Sequence, residues 1–426
     1  MCKRALSVSL VALALALAGC GGSGGDVPQA AATVDVSEPS RVEEWVLPPT
    51  LPGSASPSLS VTPDGRLLLG WINSQKGRRH VFQFSSYAPD WGRWMHQMTT
   101  VAIGHSMFVN WADVPHLLAT PDGALWAHWL QKSGDAPYAY DVVLSRSRDG
   151  GANWAAPVLV HDDRTRTEHG FVSMWAQGDG ALGIAWLDGR HTAGGGHDGG
   201  HAGAMSLRAA VFDANLERAG EAEIDARVCD CCQTAVAMTA RGPLLVYRGR
   251  GEDEVRDIHA TRLEDGTWRT PAPVHADGWV MPACPVNGPD VAALGETAVV
   301  AWYTEAGGSP EVRAAASRDA GDSFGAPVAI DAGAAVLGRV AVAIDATQAW
   351  ILWQREEAGA QSLWLSRRSH DLAVEHERIE IARPQGEGRA TGFPQLAVAG
   401  GAAWVVWTDV AGGTPNLRGV RVARGR

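Results

Sequence analysis

The chain has 426 residues, of which 46% are hydrophobic and 19% are charged, a balance typical of a folded globular protein and not of a disordered one. Its formal net charge of −11 argues against a general nucleic-acid binder, because such proteins present a basic face. Six cysteines are too few for a scaffold built from disulfides, whereas 18 tryptophans against 5 tyrosines and 7 phenylalanines need an explanation.

The N-terminal segment has the pattern of an export signal. Two basic residues precede a short apolar run at 6–17, which is too short to span a bilayer as a stable helix. The run leads into Leu-Ala-Gly-Cys20, which resembles the lipobox of bacterial lipoproteins. The resemblance implies a signal peptide at 1–19, a lipid anchor on Cys20, and a place in the cell envelope, on the outer membrane facing the periplasm or the cell surface. An ordinary secretory signal is the alternative.

A strand pattern repeats through the rest of the chain. After a flexible Gly- and Ser-rich tether at 20–40, an apolar run ending in an aromatic residue recurs at spacings of 51 to 61 residues. The seven aromatic residues are Trp71, Trp129, Trp186, Tyr247, Trp302, Trp353 and Trp407. Each run is bounded by Gly, Pro or Asp and is typical of a strand, and each repeat has room for four antiparallel strands. This predicts an all-β propeller over residues 41–426 with seven four-stranded blades, six blades being the alternative.

The two ends of the repeat region complete each other. The last repeat ends after its third strand, and residues 42–47 precede the first repeat without a partner. We therefore expect this N-terminal strand to close the ring, which also removes an open sheet edge. The predicted repeats are about 57–104, 109–163, 167–225, 227–277, 284–333, 337–384 and 391–424.

Two turns carry a more specific motif. The segment from Ser147 to Trp154 fits S-x-D-x-G-x-x-W, and the segment from Ser317 to Phe324 fits it with Phe at the end. In such a turn the Asp side chain accepts backbone N–H groups and the Gly supplies a positive φ. These segments resemble the Asp boxes, or BNR repeats, of sialidases and related propellers. The resemblance implies a sialidase-like propeller; sialidases have six blades, so a seventh blade is a departure from that family.

Unusual polar residues gather in loops that the propeller topology brings to one mouth of the central channel. These loops enter the innermost strand of a blade or join its second and third strands. The candidate substrate-binding residues there are Asn110, Trp111, Asp113, His169, Arg190, Arg248, Asn287 and Arg339. A concave site with convergent polar groups is the expected place for ligand binding.

The sialidase resemblance implies roles for some of these residues. That family binds the substrate carboxylate with three arginines and uses a Tyr nucleophile assisted by a Glu, with an Asp as acid/base. Arg190, Arg248 and Arg339 are the candidate arginines. Tyr303, Glu305 and Asp188 are the candidate catalytic residues, with Tyr247, Glu252 and Asp113 as alternatives. The family's early Arg-Ile-Pro motif is absent, and structural salt bridges that fix the loops are the other interpretation of the Arg–Asp pairs.

Four cysteines form the sharpest local cluster. Cys229, Cys231 and Cys232 lie in one loop, and Cys284 lies in the corresponding loop of the next repeat. Two disulfides, one of them joining Cys284 to the other loop, are one interpretation. A thiolate site for Cu or Zn and a catalytic thiol are the others. A Gly-rich segment with His191, His197, Asp198 and His201 offers a further set of divalent-metal ligands or a solvated loop.

The sequence therefore indicates a membrane-anchored, sialidase-like propeller that binds an anionic glycan or small molecule, such as a sialoside, at the channel mouth. Exo-sialidase hydrolysis is the hypothesis if the protein is an enzyme, and no cofactor is required for it. The alternative is a non-enzymatic metal-binding or assembly-scaffold propeller centred on Cys229–Cys232, with another envelope protein as partner. Most of the tryptophans fall at repeat positions, which leaves Trp111 as the tryptophan expected to contact a ligand.

Overall fold

The computed structural model describes residues 38–74, 79–95, 98–192 and 203–424. The chain divides into two compact units, Met1–Asp35 and Val36–Arg426, and the described residues all belong to the second. In the described ranges the chain forms seven antiparallel sheets, which confirms the prediction of an all-β propeller with seven blades. None of the helices in these ranges has the length and apolar character that crossing a membrane requires.

The first four sheets follow one another along the chain. Blade 1 consists of Ser54–Val61, Leu67–Ser74, His80–Ala88, Arg93–Trp94 and Thr99–Gly104. Blade 2 consists of Met107–Phe108, His116–Ala119, Leu125–Lys132, Tyr140–Ser147 and Val158–Leu159. Blade 3 consists of His169–Gln177, Ala181–Asp188, Met205–Phe212 and Arg218–Val228. Blade 4 consists of Ala235–Thr239, Gly242–Arg248, Ile258–Glu264, Thr267–Trp268 and Ala272–Pro273.

The remaining three sheets complete the ring. Blade 5 consists of Asp290–Leu294, Thr297–Thr304, Glu311–Ser317 and Val328–Ala332. Blade 6 consists of Val336–Ile344, Ala349–Glu357, Ala360–Arg368 and Glu375–Ala382. Blade 7 consists of Gln395–Ala399, Ala402–Ala411 and Thr414–Arg424 from the C-terminal end, with Ser40–Glu44 as its fourth strand. Short 3₁₀ helices lie at Pro89–Trp91, Gly178–Gly180 and Gly388–Thr391.

The N-terminal strand closes blade 7, as predicted. Ser40 pairs with Arg424 and Glu44 with Val420, and the Trp45 N–H extends the ladder with a 2.9 Å hydrogen bond to the Gly419 carbonyl. The strand, Ser40–Glu44, lies slightly before the predicted segment 42–47, and the Trp45 side chain directly after it is only 3% exposed. This strand removes the open edge that blade 7 would otherwise present.

The buried apolar residues of the described ranges form seven clusters, which lie mainly between neighbouring blades. The cluster between blades 2 and 3, for example, contains Trp126, Leu144 and Trp186, all fully buried. The repeat tryptophans of the second strands are among the largest members of these clusters. A flat ring fills the space between two twisted sheets and buries a large area. The excess of tryptophan is therefore mainly a requirement of blade packing.

The two turns that resemble Asp boxes share one hydrogen-bond arrangement. In the first, the Asp149 carboxylate accepts the Asn153 N–H at 2.8 Å, and Ser147 Oγ accepts the Gly151 N–H at 2.9 Å. The second repeats these bonds at 2.9 and 2.8 Å around Asp319 and Ser317. Gly151 has a φ of 93°, which an L side chain rarely adopts. Each turn is therefore stabilised by hydrogen bonds among its own residues.

Candidate binding site at the channel mouth

The innermost strands of all seven blades surround a channel with a cavity of about 330 Å³. Its lining is mixed, because apolar positions alternate with polar ones such as Ser60, His116, Ser173, Asp290 and Gln395. At one end of the channel lie the loops that enter the innermost strands. His169, at the start of one such strand, pairs directly with Asp188, at the end of the second strand of the same blade. Antiparallel pairing thus brings the two predicted kinds of loop to the same mouth.

Asp188 and Arg190 form a closed ion pair in the blade 3 loop. Arg190 Nε and Nη2 each lie 2.7 Å from one Asp188 carboxylate oxygen, and Nη2 is also 2.9 Å from Glu221. Burial favours the neutral acid, but the Arg190 hydrogen bonds and the charge of His169 hold the pKa of Asp188 below its usual value. An ionised, fully buried carboxylate has no proton to donate. That Asp188 acts as the acid remains a prediction. The geometry of the pair is that of a salt bridge that fixes the loop, which was the other interpretation of the Arg–Asp pairs.

Arg248 joins blade 4 to blade 5 through backbone carbonyls. Its guanidinium donates to Asn287 O at 2.9 Å, to Arg256 O at 2.6 Å and to Tyr303 O at 2.7 Å. The ring of Trp279 lies 4.9 Å from the guanidinium carbon. Burial lowers the pKa of Arg248 to about 9. This side chain is 2% exposed, so its N–H groups bind acceptors of the protein and are not presented to a ligand.

Arg339 has a similar role at the junction of blades 6 and 7. Its guanidinium donates to Gly392 O at 2.9 Å and to Gly388 O at 2.7 Å, while its backbone N–H donates to Asn287 Oδ1 at 2.9 Å. Burial lowers the pKa of Arg339 to about 10. The three predicted arginines therefore each bind acceptors in their own part of the mouth. Their role in binding a substrate carboxylate remains a prediction.

Tyr303 and Glu305 contact each other at the end of the second strand of blade 5. The Tyr303 hydroxyl donates to the Glu305 carboxylate. Burial and this hydrogen bond to a carboxylate raise the pKa of Tyr303. The predicted nucleophile and its assisting Glu are thus adjacent, whereas the predicted acid belongs to blade 3. The alternative nucleophile, Tyr247, instead donates to Asp225 at 2.7 Å.

Trp111 lies in an aromatic and cationic cluster at the entrance to blades 2 and 7. Phe393 stacks with it at a centroid distance of 5.7 Å, and the guanidinium carbons of Arg339 and Arg389 lie 5.2 and 5.5 Å from its ring. Asn110 shapes this loop by accepting the Ala112 N–H at 2.8 Å. We call Trp111, Phe393 and Arg389 the Trp111 platform.

Sequence reasoning missed two members of the platform. Arg389 and Phe393 lie in the loop that enters blade 7. Arg389 is exposed, whereas Arg339 is buried beneath the same ring. The signal that could have identified them is their place directly before an innermost strand, where the other candidate residues also lie.

Two channel carboxyl groups are strongly affected by burial. Asp113 Oδ2 accepts the Phe171 N–H at 2.9 Å, and burial raises the pKa of Asp113 to about 8. Asp290 accepts the Val342 N–H at 2.6 Å, and burial raises its pKa to about 7. Each carboxyl group fixes the innermost strand of the following blade. Asp290 was not a candidate from the sequence.

The four cysteines form two disulfides, Cys229–Cys232 and Cys231–Cys284, with Cα atoms 5.7 and 6.2 Å apart. The second bridge joins the blade 4 loop to the blade 5 loop, which is the connection expected under the disulfide interpretation. In this oxidised state the sulfur atoms bind each other, so the predicted thiolate ligands for Cu or Zn are not available. Cys20, His197, Asp198 and His201 lie outside the described residues, and His191 is exposed.

No protein-family model matches the sequence, and no curated protein matches it. Several solved structures have the same fold. A protein of unknown function from Dyadobacter fermentans is 13% identical, with a TM-score of 0.51 over 91% of this chain and 99% of that one. The polysaccharide lyase Uly1 is 8% identical, with a TM-score of 0.50 over 87% and 90%. The NanB sialidase from Streptococcus pneumoniae is 8% identical, with a TM-score of 0.46 over 84% and 83%. At these identities the similarities establish the propeller fold alone.

Proposed function

We propose that the propeller binds an acidic carbohydrate at the channel mouth, with the Trp111 platform as the contact surface. The observation that carries this proposal is the exposed Arg389 guanidinium 5.5 Å from the Trp111 ring, beside the channel entrance. A tryptophan ring packs well against the apolar face of a sugar, and a guanidinium pairs with a carboxylate through two parallel hydrogen bonds. Together they select a sugar that carries a negative charge. A sialoside is the first ligand to test.

The fold is compatible with a carbohydrate ligand. One propeller of the same fold is a polysaccharide lyase by name. Propeller ligands bind in concave sites with a few convergent polar groups, and the mouth of this channel has that form. The anionic character of the ligand is inferred from Arg389 alone, because Arg190, Arg248 and Arg339 are already engaged by protein acceptors.

The binding experiment compares charged and neutral glycans. We expect Arg389→Gln to weaken binding of a sialylated or uronate-containing oligosaccharide by roughly 10- to 100-fold, since a hydrogen bond to a charged group contributes about 1.5–3 kcal/mol. Arg93→Gln is the matched control, because Arg93 lies 5.1 Å from the Trp91 ring as an exposed pair on the outer part of blade 1. Calorimetric titration that shows equal affinities for both variants, or no binding of any acidic glycan, would reject the proposal.

Hydrolysis of a sialoside is the finer form of this proposal. The contact between Tyr303 and Glu305 supports it, because a Tyr nucleophile needs a carboxylate to accept its proton. The Asp188–Arg190 ion pair does not support it. A sensitive sialoside assay tests it: turnover that Tyr303→Phe abolishes and that Tyr247→Phe leaves intact is expected, whereas no turnover by the unaltered protein means that the propeller only binds.

We also propose that the protein is anchored in the cell envelope through a lipid on Cys20, on the outer membrane facing the periplasm or the cell surface. The proposal rests on the lipobox-like sequence before Cys20. Cys20→Ala should move the protein from the membrane fraction to the soluble fraction. Mass spectrometry of the unaltered N-terminus that finds no diacylglyceryl group would refute it.

A second candidate function uses the cysteines in their reduced state. The sulfur atoms of Cys229, Cys231 and Cys232 lie within 4.8 Å of one another, which is close enough to share one soft metal ion. Protein purified without oxygen and offered Cu(I) should then bind it and lose that capacity in Cys229→Ser. If all four thiols are already oxidised when the protein leaves the cell, this function is rejected.

A further inference from the structure

One loop crosses the channel mouth from blade 4 toward blade 2. It is the segment 229–234, which joins the outermost strand of blade 3 to the innermost strand of blade 4, and we call it the bridging loop. Its three cysteines are buried in the same apolar cluster as Phe393, and Trp111 packs against that cluster. The loop that carries the disulfides therefore lies directly against the Trp111 platform.

The side chain of Gln233, in the bridging loop, joins the loops of blades 2 and 5. Its Nε2 group donates to the Ala112 carbonyl oxygen at 2.9 Å, and its Oε1 atom accepts the Gly288 N–H at 3.0 Å. Ala112 directly follows Trp111 in the chain, so the first bond fixes the backbone that carries the ring. A primary amide can make both bonds because it has a donor and an acceptor on one planar group.

The bond to blade 5 reaches the same ring by a second route. Gly288 follows Asn287, whose Oδ1 atom accepts the Arg339 N–H at 2.9 Å. The Arg339 guanidinium carbon lies 5.2 Å from the centre of the Trp111 ring. The two loops are in close contact, because a Cβ atom on Gly288 would lie 2.1 Å from the Gln233 carbonyl oxygen. A displacement of Gln233 therefore changes the support of the ring from both sides.

The two disulfides hold the bridging loop in different ways. The Cys231–Cys284 disulfide joins it covalently to the loop that enters blade 5. The Cys229–Cys232 disulfide closes a turn within the bridging loop itself. Of the two, Cys231–Cys284 is thus the bridge that ties the segment carrying Gln233 to the neighbouring blade.

We propose that Gln233 is a positioning residue for the Trp111 platform and that the Cys231–Cys284 disulfide controls it, so that affinity for an acidic carbohydrate depends on the redox state of this bridge. The inference rests on the proposed function, in which the platform is the contact surface. A dithiol that reduces the bridge supplies two electrons and two protons, leaves a thiol on each cysteine and itself becomes a disulfide. The bridging loop is then no longer joined covalently to blade 5.

The first measurement needs no carbohydrate. In protein labelled with fluorotryptophan, the fluorine resonance of Trp111 is identified by its absence from Trp111→Phe. Dithiothreitol should shift or broaden this resonance, and Cys231→Ser/Cys284→Ser should do so without a reductant. Cys229→Ser/Cys232→Ser is the matched control, because it keeps the bridge to blade 5, and it should leave the resonance unchanged. Circular dichroism shows whether each variant is folded.

Gln233→Glu tests the positioning role without altering a disulfide. A carboxylate still accepts the Gly288 N–H but cannot donate to the Ala112 carbonyl oxygen. The Trp111 resonance should therefore shift. In calorimetric titration the affinity for a sialylated oligosaccharide should fall by roughly 3- to 10-fold, as expected for the loss of one hydrogen bond.

Gln177→Glu is the matched control for this substitution. Gln177 ends the innermost strand of blade 3 and accepts the Trp175 Nε1–H at 3.0 Å, a role that a carboxylate keeps, so neither measurement should change. The proposal is overturned if the Trp111 resonance is the same in the oxidised, reduced and Gln233→Glu proteins. It is also overturned if dithiothreitol and Gln233→Glu leave the carbohydrate affinity unchanged. If the unaltered protein binds no acidic carbohydrate, the proposed function fails, and the resonance still decides whether Gln233 positions the ring.

Discussion

Arg248 of blade 4 donates a 2.7 Å hydrogen bond to the backbone carbonyl of Tyr303 in blade 5. A residue selected from the sequence as a ligand for a substrate carboxylate thus holds in place the strand end that carries the candidate nucleophile. The relationship also shows why a buried arginine at a channel mouth need not be a binding residue. The role of such an arginine depends on which acceptors its N–H groups bind.

Replacing Arg248 should destabilise the whole propeller. Arg248→Met keeps the length of the side chain but leaves three buried carbonyl groups without their donor, at about 1–3 kcal/mol each. We expect the free energy of unfolding to fall by about 3 kcal/mol or more in urea titrations. Arg318→Met, at a side chain that is 78% exposed, should change it by less than about 0.5 kcal/mol. Equal stabilities of the two variants would show that Arg248 has no structural role.

Asp113 should make stability depend on pH. Burial raises its pKa from 3.8 to about 8, so between these values the folded protein keeps a proton that the unfolded chain has lost. The stability from Asp113 is therefore complete below about pH 4 and is lost as the pH rises through 8. Asp113→Asn keeps an acceptor for the Phe171 N–H but does not titrate. Relative to this variant, the unaltered protein should lose up to about 1.4 kcal/mol per pH unit in this interval.

The two disulfides should contribute unequally to stability. The Cys231–Cys284 bridge spans 53 positions, whereas Cys229–Cys232 spans 3. In the loop-entropy description, closing the longer loop contributes about 4 kcal/mol and the shorter one about 2 kcal/mol. Denaturant unfolding of Cys231→Ser/Cys284→Ser and Cys229→Ser/Cys232→Ser tests this order. A larger loss in the second pair would mean that the native pairing differs.

The closing strand should depend on Trp45. Its ring stacks with Trp94 at 5.2 Å and meets Trp404 edge-on at 5.0 Å. Trp45→Ala should lower the free energy of unfolding by about 3–5 kcal/mol, as removal of a buried aromatic ring does. Val46→Ala, at a residue that is 73% exposed, is the adjacent control and should have little effect. Thermal unfolding of both variants distinguishes a closed ring from a loosely attached N-terminal strand.

The number of blades could be predicted from the sequence because blade packing forces a large ring into each second strand. Trp71, Trp186 and Trp353 are fully buried for this reason, and their spacing counts the sheets. The closing strand could also be predicted, since an incomplete last blade needs a partner. Both predictions depend on packing and strand pairing within a single repeat. The residue types of that repeat are enough to indicate them.

The partners of polar side chains at the mouth could not be predicted in the same way. Arg248 binds carbonyl groups, and every residue has a carbonyl group, so no residue type marks its partners. Arg389 and Phe393 were missed because the loop that carries them has no repeated motif. The cysteine pairing stayed open because four cysteines allow three pairings, and the distances between loops of different blades decide among them.

The pairing of Ser40 with Arg424 also has a consequence for the time course of folding. The first strand of the described residues completes the last sheet, so blade 7 must wait for the C-terminal end of the chain before its four strands can pair. Contacts between such distant positions form slowly, because a long loop must be ordered before they stabilise anything. Until then the N-terminal strand and the edge of blade 7 are both unpaired, and this is the interval in which a chaperone would protect the chain most effectively.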